Sequence, residues 1–176
     1  MDPENGSTAG SRGGFELTLP RSRVPCGVIH TLVQAQFVPA DPGRVWDYFA
    51  TPRNLNEMTP PELAFRIQGE PGPMHPGQMI SYRIRLGPGI WTTWLTEITQ
   101  VRDGAFFVDE QRIGPYKLWH HEHQFEAKAG GVQMTDRVTY AIGFGPIGEL
   151  VHALWIRPKL ERIFAFRRTR VKELFG

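Results

Sequence analysis

Between Leu63 and Ile142 the sequence alternates apolar and polar residues with a period of two, in six stretches separated by turn-forming residues. The stretches are Leu63–Gln68, Met79–Leu86, Trp91–Val101, Ala105–Arg112, Lys117–Ala127 and Val132–Ile142. Asp103-Gly104, Gly114-Pro115 and Gly130-Gly131 are short turns, and short turns between consecutive strands predict an antiparallel meander. Past Gly143-Phe144-Gly145-Pro146 the period changes to 3.6. Ile147, Leu150, Val151, Leu154, Trp155, Leu160, Ile163, Phe164, Val171 and Leu174 then form one apolar helical stripe, which Pro158 should kink or divide.

Ahead of the meander, Val28 to Phe37 reads as a β-branched strand, and Asp41-Pro42 is a helix-start signal. Val45, Trp46 and Phe49 fall at helical spacing, and Pro52 to Pro60 reads as a second short helical segment. Residues 1–27, rich in Gly, Ser, Pro and charge, read as a disordered tail, leaving 28–176 as one domain. The expected fold is therefore α+β: two short helices after the first strand, then a curved antiparallel sheet of about seven strands wrapped on a long C-terminal helix. A sheet must bury one face, and that helix is the large element available to cover it. Such an arrangement leaves space between sheet and helix.

The polar residues placed on that inner face carry the functional expectation. Trp119, His121, His123 and Phe125 share one side of their strand, because side chains two apart point the same way. A two-residue turn at Ala129-Gly130 sets His123 opposite Asp136, His121 opposite Val138 and Trp119 opposite Tyr140. A turn centred on Pro115 sets Asp109 opposite His121, Gln111 opposite Trp119 and Phe107 opposite His123. Opposed residues lie about 5 Å apart on one face. One wall then gathers Asp109, Gln111, His121, His123, Asp136 and Tyr140 among Phe107, Trp119, Phe125 and Met134. Trp94, in phase with Thr92, Thr96 and Ile98, points to the same interior.

The element order, together with Phe107 through Phe125 (Asp109, Gln111, Gly114-Pro115-Tyr116, Trp119, His121, His123) and then Gly130-Gly131, Met134, Asp136, Val138 and Tyr140, resembles the START/Bet v 1-like (SRPBCC) superfamily. Within it the pattern is similar to a cell-division-inhibitor-like, cyclase/dehydrase-like subgroup. The resemblance spans roughly Ile29 to Phe175. It implies a helix-grip fold with a hydrophobic ligand cavity between sheet and long helix, and it does not imply a reaction. Ile142-Gly143-Phe144-Gly145-Pro146 departs from the Pro-Phe/Leu-Gly type of turn that the resemblance implies after Tyr140.

Four roles fit the imidazoles and carboxylates. They are mutually satisfied internal pairs (His121–Asp109 and His123–Asp136), groups orienting a bound molecule, an acid/base pair for a cyclase/dehydratase-like reaction, or His-x-His ligands to a metal completed by Asp109 or Asp136. The expected function is binding of a small or medium hydrophobic molecule with one polar group. Trp94, Phe107, Trp119, Phe125, Tyr140, Leu154 and Trp155 would supply apolar surface, and Asp109, Gln111, His121 and His123 would orient it. No cofactor and no metal is expected.

Composition bounds the alternatives. The lone Cys26 rules out an internal disulfide and a cysteine zinc site, and no secretory signal is visible, so a cytoplasmic location is expected. From Ala153 to Gly176 seven basic residues oppose two acidic ones, in a chain whose total is +2. Most of that charge reads as the solvated face of the helix, with weak anionic-membrane contact as the functional alternative and a lipid or quinone carrier as its extension. Nucleic acid is not an expected partner, since no reading motif accompanies the charge.

Overall fold

The computed structural model describes Arg23, Val24 and residues 27–176. The rest of the expected tail lies outside the described residues. Arg23–Val24 (β1) is a two-residue strand paired with Val28 and Gly27 at the start of β2 (Gly27–Val38). Then come α1 (Pro42–Phe49), 3₁₀ turns at Pro52–Asn56 and Pro61–Leu63, and β3 (Arg66–Gln68). The meander runs through β4 (Gln78–Gly87), β5 (Ile90–Arg102), β6 (Phe106–Ile113), β7 (Leu118–Lys128) and β8 (Gly131–Ala141). The sheet order is β1-β2-β8-β7-β6-β5-β4-β3, antiparallel throughout.

Local chemistry sets the element ends. Asp41 caps α1 by accepting a hydrogen bond from the Arg44 amide at 3.0 Å, with Pro42 in the first turn. The Ala129-Gly130 turn pairs Lys128 with Gly131, and Gly130 takes φ +81°, which costs a glycine little. The β7–β8 register then follows residue by residue, with His123 opposite Asp136, His121 opposite Val138 and Trp119 opposite Tyr140. On the other side of β7, Phe107 faces His123 and Asp109 faces His121. That ladder ends at Glu110–His120, one pair short of Gln111–Trp119.

The C-terminal segment is helical without a break: α2 (Gly145–Val151), a π turn (His152–Ile156) and α3 (Arg157–Phe175). Pro158 lies in the first turn of α3, so the expected break is replaced by a widened turn just before it. Only the second half of the segment grips the sheet. Leu160, Phe164, Arg167, Val171 and Phe175 are buried, whereas Ile147, Leu150, Val151, Leu154 and Trp155 are exposed. The buried side of the first half is instead Gly148 and His152.

The core forms three groups beneath the concave face. Val45 and Phe49 of α1 pack with Phe107, Phe125, Met134, Val171 and Phe175. Leu32, Trp119, Val138 and Tyr140 meet Leu160 and Phe164. Ile80, Tyr82, Ile84 and Ile98 of β4 and β5 are covered by the partly buried Leu55 and Phe65 rather than by α3.

The entry into the C-terminal segment depends on a close backbone approach. A Cβ on Gly148 would lie 1.9 Å from the Gly143 carbonyl oxygen, whereas one on Gly72 would meet nothing within 4 Å. Gly148→Ala should therefore cost roughly 1–3 kcal/mol and lower the thermal midpoint by several degrees, with Gly72→Ala unchanged. Equal midpoints by calorimetry would contradict this packing.

Candidate functional site

Asp109 of β6, His121 and His123 of β7 and Asp136 of β8 meet at the middle of the concave face. Both imidazoles and Asp136 are buried, with Asp136 at 1% exposure. The two imidazole rings lie 3.7 Å apart between the two carboxylates. His121 Nε2 donates to Asp136 Oδ1 at 3.2 Å, and His123 Nε2 donates to Asp109 Oδ2 at 3.0 Å. Charge contacts complete a closed ring: His121 Nδ1 is 3.3 Å from Asp109 Oδ2, and His123 Nδ1 is 2.8 Å from Asp136 Oδ1. The opposed pairs expected from the register are thus close, but the hydrogen bonds run along the diagonals. His123 Nδ1 approaches Asp136 without hydrogen-bond alignment.

Burial alone would push these carboxyls up. The imidazoles beside them, with Arg167 near Asp136, instead hold both well below the usual carboxylate range. Burial likewise opposes charge on His121, and the carboxylates of Asp109 and Asp136 outweigh it, so its pKa is raised. With both nitrogens facing carboxylates and its pKa raised, protonated His121 has no free lone pair. The arrangement can donate a proton or a hydrogen bond, but it is not set up as a general base.

Beside this quartet is a cavity of about 190 Å³, between the β4–β7 part of the sheet and α3. Of the residues expected at the site, Trp94, Phe107, Asp109, Trp119, His121 and His123 line it. The others are used elsewhere. Phe125 packs on Trp46 and Phe49 under α1. Tyr140 packs with Leu160 and Phe164, and its hydroxyl is 2.9 Å from His152 Nε2. Gln111 folds back on the turn: its Nε2 donates to the Tyr116 carbonyl at 2.7 Å, and its Oε1 accepts from the Tyr116 amide at 3.3 Å. Asp136 lies behind the two imidazoles. Leu154 and Trp155, at 72% and 50% exposure, flank a separate surface depression with Lys159 and Arg162.

Several lining residues were not anticipated. Tyr82 and Tyr116 bring hydroxyls whose pKa burial pushes up, so they remain neutral. Lys159 donates from Nζ to the Leu86 carbonyl at 2.7 Å, and burial lowers its pKa. Arg167, 7% exposed, reaches the wall from α3, with Nη1 3.8 Å from Asp136 Oδ1. The sequence signal for Arg167 is a gap: the buried stripe of α3 skips from Phe164 to Val171, and the helical position between them is an arginine.

Among the described residues, two groups bring three ligand-type atoms within 4.8 Å of one another: Asp109, His121 and His123, and separately His30, Glu149 and His152. The His30 and His152 rings are stacked at 3.6 Å between centroids, whereas those of His121 and His123, 3.7 Å apart, are tilted by 39°. In the stacked pair the in-plane lone pairs lie side by side rather than aimed at one point, a poor start for a tetrahedral ion. His152 is instead buried against His30 and held neutral, its pKa pulled down to about 4 by burial and by the neighbouring imidazole.

The pH dependence follows from these shifts. The carboxylates, depressed in the fold, contribute stability that is complete above about pH 4 and lost as pH falls through their low values. His121, raised, contributes stability that is complete below about pH 6.5 and lost as pH climbs through its folded value. His152, depressed, costs stability as pH falls from about 6.5 toward 4. Stability should therefore peak near pH 6.5, and at that pH long-range ¹H–¹⁵N spectra should show both nitrogens of His121 protonated. A single neutral tautomer there would contradict the assignment.

No protein-family model matches the chain, and no curated protein matches it. Solved structures do. Protein Ms6760 from Mycobacterium smegmatis superposes with a TM-score of 0.61 at 20% identity, covering 82% of this chain and 89% of that one. The Zhui aromatase/cyclase from a Streptomyces species gives 0.62 at 14% identity, covering 82% and 92%. Ginseng major latex-like protein 151 from Panax ginseng gives 0.59 at 12%, covering 85% and 99%. A curved antiparallel sheet closed on a long C-terminal helix, shared over most of the length of each neighbour, makes this a START/Bet v 1-like helix-grip fold.

Proposed function

We propose that the protein binds a small hydrophobic molecule carrying one polar group, held between the sheet and α3. The observation that carries this reading is a cavity walled mainly by apolar and aromatic side chains, with Asp109, His121 and His123 together on one part of the wall. Its size supports the small end of the range, since an engineered apolar cavity of about 150 Å³ holds benzene. The fold supports it too, as one neighbour is named an aromatase/cyclase. Ile80 and Ile98, each 2% exposed, form part of the apolar lining. Isothermal titration with p-cresol, one ring with one hydroxyl, should show saturable binding that Ile98→Trp weakens at least tenfold. Unchanged affinity in that variant, with its fold intact by circular dichroism, would contradict the reading.

A second reading concerns delivery rather than the cavity. Phe144, at 87% exposure, together with Ile147, Leu150, Val151, Leu154 and Trp155, forms an exposed apolar row along α2 and the π turn. Exposed apolar rows of this size mark interaction surfaces. Lys159 sits 5.3 Å over the Trp155 ring, and Arg162, paired with Glu62 at 2.8 Å, borders the same depression, so charged and apolar groups share one surface. That pairing fits an anionic lipid surface, with the row lying on the membrane; among the described residues no helix is long and apolar enough to cross one. Vesicles containing phosphatidylglycerol should sediment the protein and shift its tryptophan emission to the blue, and Leu154→Glu should abolish both. Binding indifferent to salt and to anionic lipid content would remove this reading.

A further inference from the structure

Arg167 is a buried guanidinium with unused donors. Its Nε and Nη1 are fully buried and donate to no acceptor among the described residues. The nearby carboxylate oxygen, Asp136 Oδ1, is 3.8 Å from Nη1, beyond hydrogen-bond reach, and that same oxygen already faces His121 at 3.2 Å and His123 at 2.8 Å. The Phe164 ring, 5.2 Å from the guanidinium carbon, offers a π face but no acceptor atom. Leaving charged donors unsatisfied in the interior is expensive, and Asp136 meets the net charge without meeting the N–H groups. The missing element is an oxygen acceptor, and Arg167 forms part of the cavity wall.

We propose that the bound molecule is a small aromatic or alicyclic carboxylate, its carboxylate accepting hydrogen bonds from Arg167 while its ring occupies the apolar space beside Trp94, Ile80 and Ile98. This rests on the reading of the cavity as a ligand site and names the chemistry of the ligand's polar end. A carboxylate suits the donors because guanidinium–carboxylate hydrogen bonds are charge-assisted and weakly hydrated guanidinium is readily desolvated. Asp109 and Asp136 do not repel it strongly, since both are locked against the imidazoles. A neutral ring would fill the same space and leave the Arg167 donors unmade.

The test compares two near-isosteric probes, 4-methylbenzoate and 4-methylbenzamide, by isothermal titration at pH 7 on the full chain. The wild-type protein should bind the carboxylate at least tenfold more tightly, and the preference should vanish in Arg167→Met. Because that variant loses the counter-charge of Asp136 and can fail to fold, the wild-type protein supplies a second readout. Its Arg167 Nε–H resonance should shift on adding 4-methylbenzoate and stay in place with 4-methylbenzamide. Equal affinity for both probes, with no movement of that resonance, would overturn the carboxylate assignment while leaving the cavity reading intact. Arg167 would then serve only as the counter-ion of Asp136. Binding of neither probe would overturn both.

Discussion

Two carboxylates on the concave face of a sheet, Asp136 buried and Asp109 partly buried, must be neutralised from within the fold, and the rest of the architecture is arranged around that requirement. An ionised carboxylate taken from water is expensive unless cations and hydrogen bonds replace its hydration. Here each carboxylate faces both imidazoles. The four residues come from three adjacent strands, so the ring of contacts forms only when β6, β7 and β8 are in correct register. A one-residue slip would turn both imidazoles to the convex face. Arg167 adds α3 to the same set.

The same constraint explains where the open space lies. The β2–β8 side of the sheet is filled directly by helix side chains, with Leu160 and Phe164 against Val138 and Tyr140. The β4–β5 side lies farther along the curve and is roofed by the 3₁₀ turns through Leu55 and Leu63. Rings and branched aliphatics line most of the gap, beside the paired charges of the quartet.

Much of this was legible in the sequence, because turn length fixes pairing. The Ala129-Gly130 turn and the Gly114-Pro115 turn together determined which residues face His121 and His123. Legibility ended where side chains take on local duties. Gln111 had the right phase for the site but serves the backbone of Tyr116 instead. A constant 3.6 period along the apolar stripe sets Leu154 and Trp155 on the inward side. The π turn at His152–Ile156 inserts about one residue, which rotates everything before it by about 100° relative to α3. Arg167 was counted with the solvated charges, because a residue's type says less about its burial than the stripe it interrupts. His152 and His30 were unreadable for a different reason, since their contact joins the first long strand to a helix more than a hundred residues later.

The central claim is that self-neutralising charges stand beside a dry apolar space that a ligand can enter. A crystal structure under xenon pressure tests it most directly, since xenon settles only in apolar cavities of sufficient size. Xenon density between Ile80, Ile98 and Leu160, with the imidazoles still held between Asp109 and Asp136, is the expected result. Side chains collapsed into that space with no xenon there, or imidazoles turned away from the two carboxylates, would contradict the account.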